Sequence, residues 1–302
     1  YYEQTEKSQS TAKPTKANTG TVVYMDYIEL KDKNTNKRAL KAFQTLLPKL
    51  TLMDDYYLML YAKRYPKDFS MILSTFIGIP IEIDEKTFRT QDVVISPDDC
   101  KDIRFDIMSY TVEGDRIVLE VESRKKFGEI RLRYYMAKND SQLILRGENY
   151  SDIPDSYNVV VARHDIGGRN KPRYYMRTCY VESLFEPGDD VRIVDDGRVA
   201  IYINASYKNE NDTSPLAKLI HDFKCSNPND MHNEILREHA HILKNTKEGQ
   251  DYMTTETLAT VDRLPLFNGR LLTDEERIEE RNEGRNEVVA GRARNRGDRK
   301  ST

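Results

Sequence analysis

Apolar residues recur at helical spacing, in pieces, from Thr35 to Ile79. Ala39, Ala42, Phe43, Leu46 and Leu47 fall on one helical stripe. Asp54 or Asp55 caps the start of a second helix carrying Leu58, Leu60 and Tyr61, and Pro66 ends it. Phe69 to Phe76 makes a further turn or two before Gly78-Ile79-Pro80. The period then changes to two. Ile103, Phe105 and Ile107 alternate with Arg104 and Asp106. After the turn Glu113-Gly114-Asp115-Arg116, Ile117, Leu119 and Val121 alternate with Val118, Glu120 and Glu122. This is the pattern of a β-hairpin.

A helix is expected from Glu129 to Arg146, stopped by Gly147. The short apolar run Val159–Ala162 reads as a buried strand, with further strands at Arg173–Val181 and Val199–Ala205. Ser214-Pro215 opens a helix with proline in its first turn, and the chain beyond is mainly helical and polar. Helix, strand, strand, helix, strand is the order of an α/β fold, a sheet with helices packed on it.

Composition narrows the class. The chain has 302 residues, 38% hydrophobic and 32% charged, long enough for a substantial core. No apolar run approaches the roughly 20 residues that cross a bilayer, so no membrane partner is expected. Three scattered cysteines, Cys100, Cys179 and Cys225, argue against a disulfide framework and fit a reducing cytoplasm. The net charge of −3 weighs against a general nucleic-acid binder, although a local basic groove is compatible with it. No GxxxxGK[ST], GxGxxG or GxSxG motif is present, so no nucleotide cofactor is expected.

The hairpin carries the candidate chemistry. Side chains two apart on a strand share a face, so Glu120 and Glu122 lie together, and Asp106 sits on the partner strand. Pairing Asp106 beside Glu120 would gather carboxylates that repel unless protons or a cation neutralise them. A hard dication such as Mg²⁺ or Mn²⁺ prefers such oxygen donors. Alternating charge also marks the solvent face of a strand, and the spacing alone leaves both readings open. Arg131, Tyr135 and Lys138 share a face of the following helix. That face is either a basic, aromatic surface for a phosphate backbone or the edge of a tyrosine-rich core helix.

The segments Arg104-Phe105-Asp106-Ile107, Val118-Leu119-Glu120-Val121-Glu122 and Arg131-Leu132-Arg133-Tyr134-Tyr135 resemble the Rpn-type branch of the PD-(D/E)XK nucleases, also described as recombination-promoting nucleases and transposases. Met53-Asp54-Asp55-Tyr56-Tyr57, Gly147-Glu148-Asn149-Tyr150 with Tyr157–Val161, and Asn204-Ala205 before Ser214-Pro215-Leu216 extend the resemblance in the same order, over about Leu52 to Thr260. It implies a restriction-endonuclease-like core, a central mixed sheet flanked by helices, with a helical C-terminal extension. It also implies Mg²⁺- or Mn²⁺-dependent hydrolysis of DNA, and a homo-oligomer is compatible with it.

By the family pattern the catalytic residues are Asp106, Glu120 and Glu122. Asp106, Glu120 and the Val121 carbonyl are the metal ligands; on the following helix the resemblance favours Arg131 as a nucleic-acid contact, with Tyr135 and Lys138 as the candidates that share its face. Glu122 stands where the motif has Lys, often Gln in this branch, and it cannot supply positive charge. Lys125 and Lys126 are candidate substitutes and Asp55 a candidate auxiliary residue. A degenerate member that binds DNA or a protein partner without cleavage is the alternative.

The expected organisation is a disordered lead over 1–20, the nuclease-like domain over 35–225, a helical extension over 226–273 and a charged tail over 274–302. Arg292, Arg294, Arg296, Arg299 and Lys300 form a basic end to that tail. His232, His239 and His241 gather in the extension without an HExxH pattern and read as surface histidines; His164-Asp165 reads as a turn.

Overall fold

The computed structural model describes residues 40–41, 43–94, 103–122, 129–144, 146–182, 191–259, 266–267 and 270–271. The lead over 1–20, the tail over 274–302, Cys100, Lys125 and Lys126 lie outside them.

The protein is an α/β fold built on a mixed six-stranded sheet. Its strands are β1 (Arg89–Val94), β2 (Ile103–Tyr110), β3 (Arg116–Glu122), β4 (Ser156–Ala162), β8 (Arg198–Asn204) and β5 (Arg173–Met176), in that spatial order. β1–β2–β3 pair antiparallel, β3–β4 and β4–β8 pair parallel, and β5 closes the far edge antiparallel to β8. The short strands β6 (Cys179–Tyr180) and β7 (Arg192–Ile193) form a separate ribbon, and β9 (Leu266–Phe267) pairs with β10 (Arg270–Leu271). The hairpin read from the sequence is β2–β3, with Gly114 at a positive φ in its turn. β1 had no sequence signal: Arg89-Thr90-Gln91-Asp92 lacks alternation, and the strand lies at the edge of the sheet.

Period-two alternation sorts the central strands between two cores. Leu119, Val159, Val161, Ile201 and Ile203 join the larger core, with α1 (Asp55–Arg64), α2 (Asp68–Ile77), α4 (Pro215–Lys224), α5 (Glu234–Asn245) and α6 (Lys247–Ala259). Val160, Ala200 and Tyr202 face Leu132 and Met136 of α3 (Glu129–Asp140) on the opposite side. β4 is therefore apolar on both faces, as a parallel strand covered on both sides must be, which accounts for the unbroken run Val159–Ala162. Each aliphatic side chain buried this way contributes about 1.5–3 kcal/mol. Leu236, Ala240, Leu243 and Met253 of α5 and α6 belong to the same core as α1 and α2.

Helix ends follow local chemistry in places. Ser214 caps α4 by accepting from the Ala217 amide at 3.2 Å, with Pro215 at its first position. Asp54 holds the N-cap position of α1 without capping it; its carboxylate accepts from the Thr51 amide at 2.8 Å and from Arg163 at 3.0 Å. α2 ends at Gly78, φ 90°, where Arg173 donates to the Thr75 and Phe76 carbonyls and Tyr175 to Ile77. α3 stops at Asp140, short of the expected Arg146. Asn139 is fully buried and donates to Ser156 Oγ at 3.0 Å, and Arg198 pairs with Asp140 at 3.4 Å, so tertiary partners fix the last turn. The strand expected over Arg173–Val181 divides into β5 and β6.

Candidate functional site

The β2–β3 ladder runs from Tyr110↔Arg116 to Ile107↔Leu119. At the next position Asp106 and Glu120 face each other, and side chains replace the ladder. The Asp106 amide donates to Glu120 Oε1 at 2.9 Å, and the Val121 amide donates to Asp106 Oδ2 at 2.9 Å. On the other side the β1–β2 register passes from Thr90↔Ile107 to Asp92↔Phe105, stepping over Gln91 and Asp106. Gln91 holds a positive φ of 55°, and its side-chain Nε2 donates to Asp106 Oδ1 at 3.4 Å. Asp106 thus interrupts the sheet between two neighbours.

The interruption also breaks the alternation expected along β2. Phe105 packs edge-on against Tyr135 of α3, whereas Ile107, two residues on, joins the larger core on the other face. Asp106 itself is not a solvent-face residue. It is 8% exposed, Glu120 7% and Glu122 3%.

Burial at these positions carries an electrostatic cost. It pushes the Asp106 carboxyl up to about 7, with the Asp55 charge adding to the effect. Burial, and then the charge of Asp106, holds Glu120 well above the usual carboxylate range. Burial thus disfavours the charged form of both groups, and a bound cation would offset that cost.

The three carboxylates do not converge on one point. Glu122 turns to α3 and forms an ion pair with Arg131, whose guanidinium also donates to the Tyr135 hydroxyl at 2.8 Å and lies 4.7 Å from that ring's centroid. The reason is the helix: its first turn places a cation over the end of β3, and a buried carboxylate without a counter-charge would be far less stable. Arg131 and Tyr135 therefore meet at the carboxylate edge. Lys138 lies instead over the Tyr134 ring, 5.7 Å from its centroid.

Asp55, at the first turn of α1, brings its charge to Asp106. The N–H and C=O of one strand residue face the same neighbour, so the Val121 carbonyl faces the gap that its amide does. Gln91 was not singled out from the sequence; its signal, a polar residue opposite Asp106, required the pairing of β1 to be seen.

The histidines grouped in the sequence part company. His239 stacks on Tyr65 and lies 2.7 Å from Asp68; His241 meets Asn245; His232 lies beside His221. His164-Asp165 is a turn, with Asp165 accepting from the Gly168 and Asn170 amides.

Asp106 and Glu120 each use one oxygen to hold the other strand's backbone, and the second oxygen of Asp106 is reached by Gln91. Two buried carboxylates beside a strand carbonyl are donors suited to a hard, oxygen-preferring dication, which would offset the cost of burying their charge. Among the described residues no helix is long and apolar enough to cross a membrane. Searches against family models, curated proteins and solved structures find no match to the chain.

Proposed function

We propose that the chain is a metal-dependent DNA endonuclease of the Rpn-type PD-(D/E)XK branch, with its reaction at the parted end of β2 and β3. One observation carries the reading: Asp106 and Glu120 are buried face to face where the ladder gives way to their side chains. Such a costly arrangement is expected where a dication, Mg²⁺ or Mn²⁺, is held by Asp106, Glu120 and the Val121 carbonyl. When bound, it supplies an activated water and stabilises charge on the phosphate.

The remaining roles fall to the chain. Asp106 and Glu120 fix the donor geometry through the opposite strand's amides. Glu122 supplies no positive charge in place of the motif lysine, but it holds Arg131 at the end of β3, where a guanidinium can meet the scissile phosphate. Tyr135 steadies the same guanidinium.

The same ion pair favours a second reading, a descendant that binds DNA without cutting it. A guanidinium neutralised by Glu122 is less able to stabilise charge that develops on phosphate. The test is plasmid nicking with Mg²⁺ or Mn²⁺ by the parent, Asp106→Ala and Glu120→Ala. Metal-dependent nicking by the parent alone supports the endonuclease. Absence of nicking by folded parent protein removes it, and a salt-dependent DNA-binding titration then decides the binding reading.

A further inference from the structure

We infer that His221, Asp222 and Cys225, at the C-terminal end of α4, form a separate Zn²⁺ site, with His232 from the segment before α5 as its fourth ligand. Among the described residues these three form a group whose donor atoms all lie within 4.8 Å of one another. His221 and Cys225 are one helical turn apart, so the helix itself brings imidazole and sulfur together.

The spacing matches a tetrahedral ion. Zinc bonds of about 2.3 Å to sulfur and about 2.0–2.2 Å to nitrogen or oxygen give donor–donor edges of roughly 3.3–3.6 Å. Cys225 Sγ lies 3.4 Å from His221 Nδ1, and His221 Nδ1 lies 3.4 Å from Asp222 Oδ1. The His232 ring centroid is 4.6 Å from that of His221, and its side chain is exposed, so a rotamer change can bring it to the ion.

The Asp222 carboxylate is fixed in place. It is fully buried and accepts from the His232 amide at 2.7 Å and the Asn233 amide at 2.8 Å. Those bonds orient an oxygen toward His221 and tie the His232 backbone to the same carboxylate, the supporting role expected around a metal ligand. Asp222 and Asp230 bring negative charge to the partly buried Cys225, against the positive charges of Lys224 and Lys244. On coordination the Cys225 thiol releases its proton to water and the thiolate becomes the ligand.

Ligand type separates this group from the carboxylates of β2 and β3. Thiolate with imidazole selects zinc, whereas carboxylates with a carbonyl select magnesium. Location separates them as well. Leu219, Ile220 and Phe223 of α4 pack in the larger core, on the sheet face opposite that of α3. A zinc ion here would clamp the end of α4 to the segment that leads into α5.

Co²⁺ titrated into untagged, chelator-stripped full-length chain is the test, because a cobalt–thiolate bond gives a charge-transfer absorption that oxygen ligands do not. One equivalent of Co²⁺ should produce that band and Zn²⁺ should displace it. Cys225→Ser should abolish the band, while His221→Ala and His232→Ala weaken Co²⁺ binding at least about 10-fold. Asp106→Ala should leave the band unchanged, which keeps this result independent of the nuclease reading. Circular dichroism of each variant confirms folding, and the exposed His232 provides a substitution outside the core. No band at one equivalent, or a band that survives Cys225→Ser, overturns the site.

Discussion

Removing the guanidinium of Arg131 tests the electrostatics of the carboxylate edge. The Glu122 side chain is 4% exposed and that of Arg131 30%. Arg131→Met keeps the stem and deletes the charge, leaving a buried carboxylate next to Glu120, whose own ionisation Glu122 already disfavours. Breaking a buried pair from one side costs about 3–5 kcal/mol. Because Arg131 keeps some contact with solvent, the low end applies, about 3 kcal/mol. In a folded unit of this size that lowers the Tm by roughly 6–12 °C. Glu122→Gln retains a hydrogen-bond acceptor and loses the charge, at about 1–2 kcal/mol. The double variant Arg131→Met/Glu122→Met exchanges both ions for apolar side chains and should return to within about 1 kcal/mol of the parent. Urea unfolding by circular dichroism at neutral pH without divalent cation gives the three differences, and the cycle gives the coupling. A single Arg131→Met variant within about 0.5 kcal/mol of the parent, or a double variant whose loss is the sum of the single losses, would refute the reasoning.

Two further outcomes are expected. The Asp106 carboxyl is raised from 3.8 to about 7 in the folded state, so the folded chain keeps a proton that the unfolded chain has released between those values. Its contribution favours folding below about pH 4 and is lost as pH rises through about 7. The stability of the parent relative to Asp106→Asn should therefore fall across that window in chelator, and excess Mg²⁺ should restore it at neutral pH; a difference that stays flat with pH counts against the burial argument. A Cβ on Gly249 would lie 1.9 Å from the Ile242 carbonyl oxygen and 2.6 Å from Leu243 Cα. These are backbone atoms that cannot swing away, so Gly249→Ala should cost about 3 kcal/mol in a urea melt. A loss under about 0.5 kcal/mol would mean that α6 does not approach α5 so closely.

Local chemistry wrote several features directly into the sequence. Alternation around Glu113-Gly114-Asp115 specified the β2–β3 hairpin, an unbroken run specified β4, and Ser214-Pro215 specified the start of α4. Each depends on residues within a few positions of one another, so each is legible without the fold. Asp106, Glu120 and Glu122 were legible as candidates for the same reason: a hairpin fixes which residues oppose one another.

Other features depended on distant partners. Buried Asn139 and its bonds to β4 help end α3 before Arg146, and pairing with β2 makes a strand of Arg89–Val94. Glu122 was expected beside Asp106 and Glu120 as a catalytic residue in the place of the motif lysine. The chain that returns as α3 instead places Arg131 against it, since a buried charge takes the nearest opposite charge. His221, Cys225 and His232 lie within a dozen residues of one another, yet the sequence grouped His232 with His239 and His241. The turn between α4 and α5, closed by buried Asp222, decided otherwise. The sequence by itself determined which residues could alternate, cap and turn; the tertiary structure decided which charges meet, because burial and counter-charge are set by chain segments that are remote in sequence.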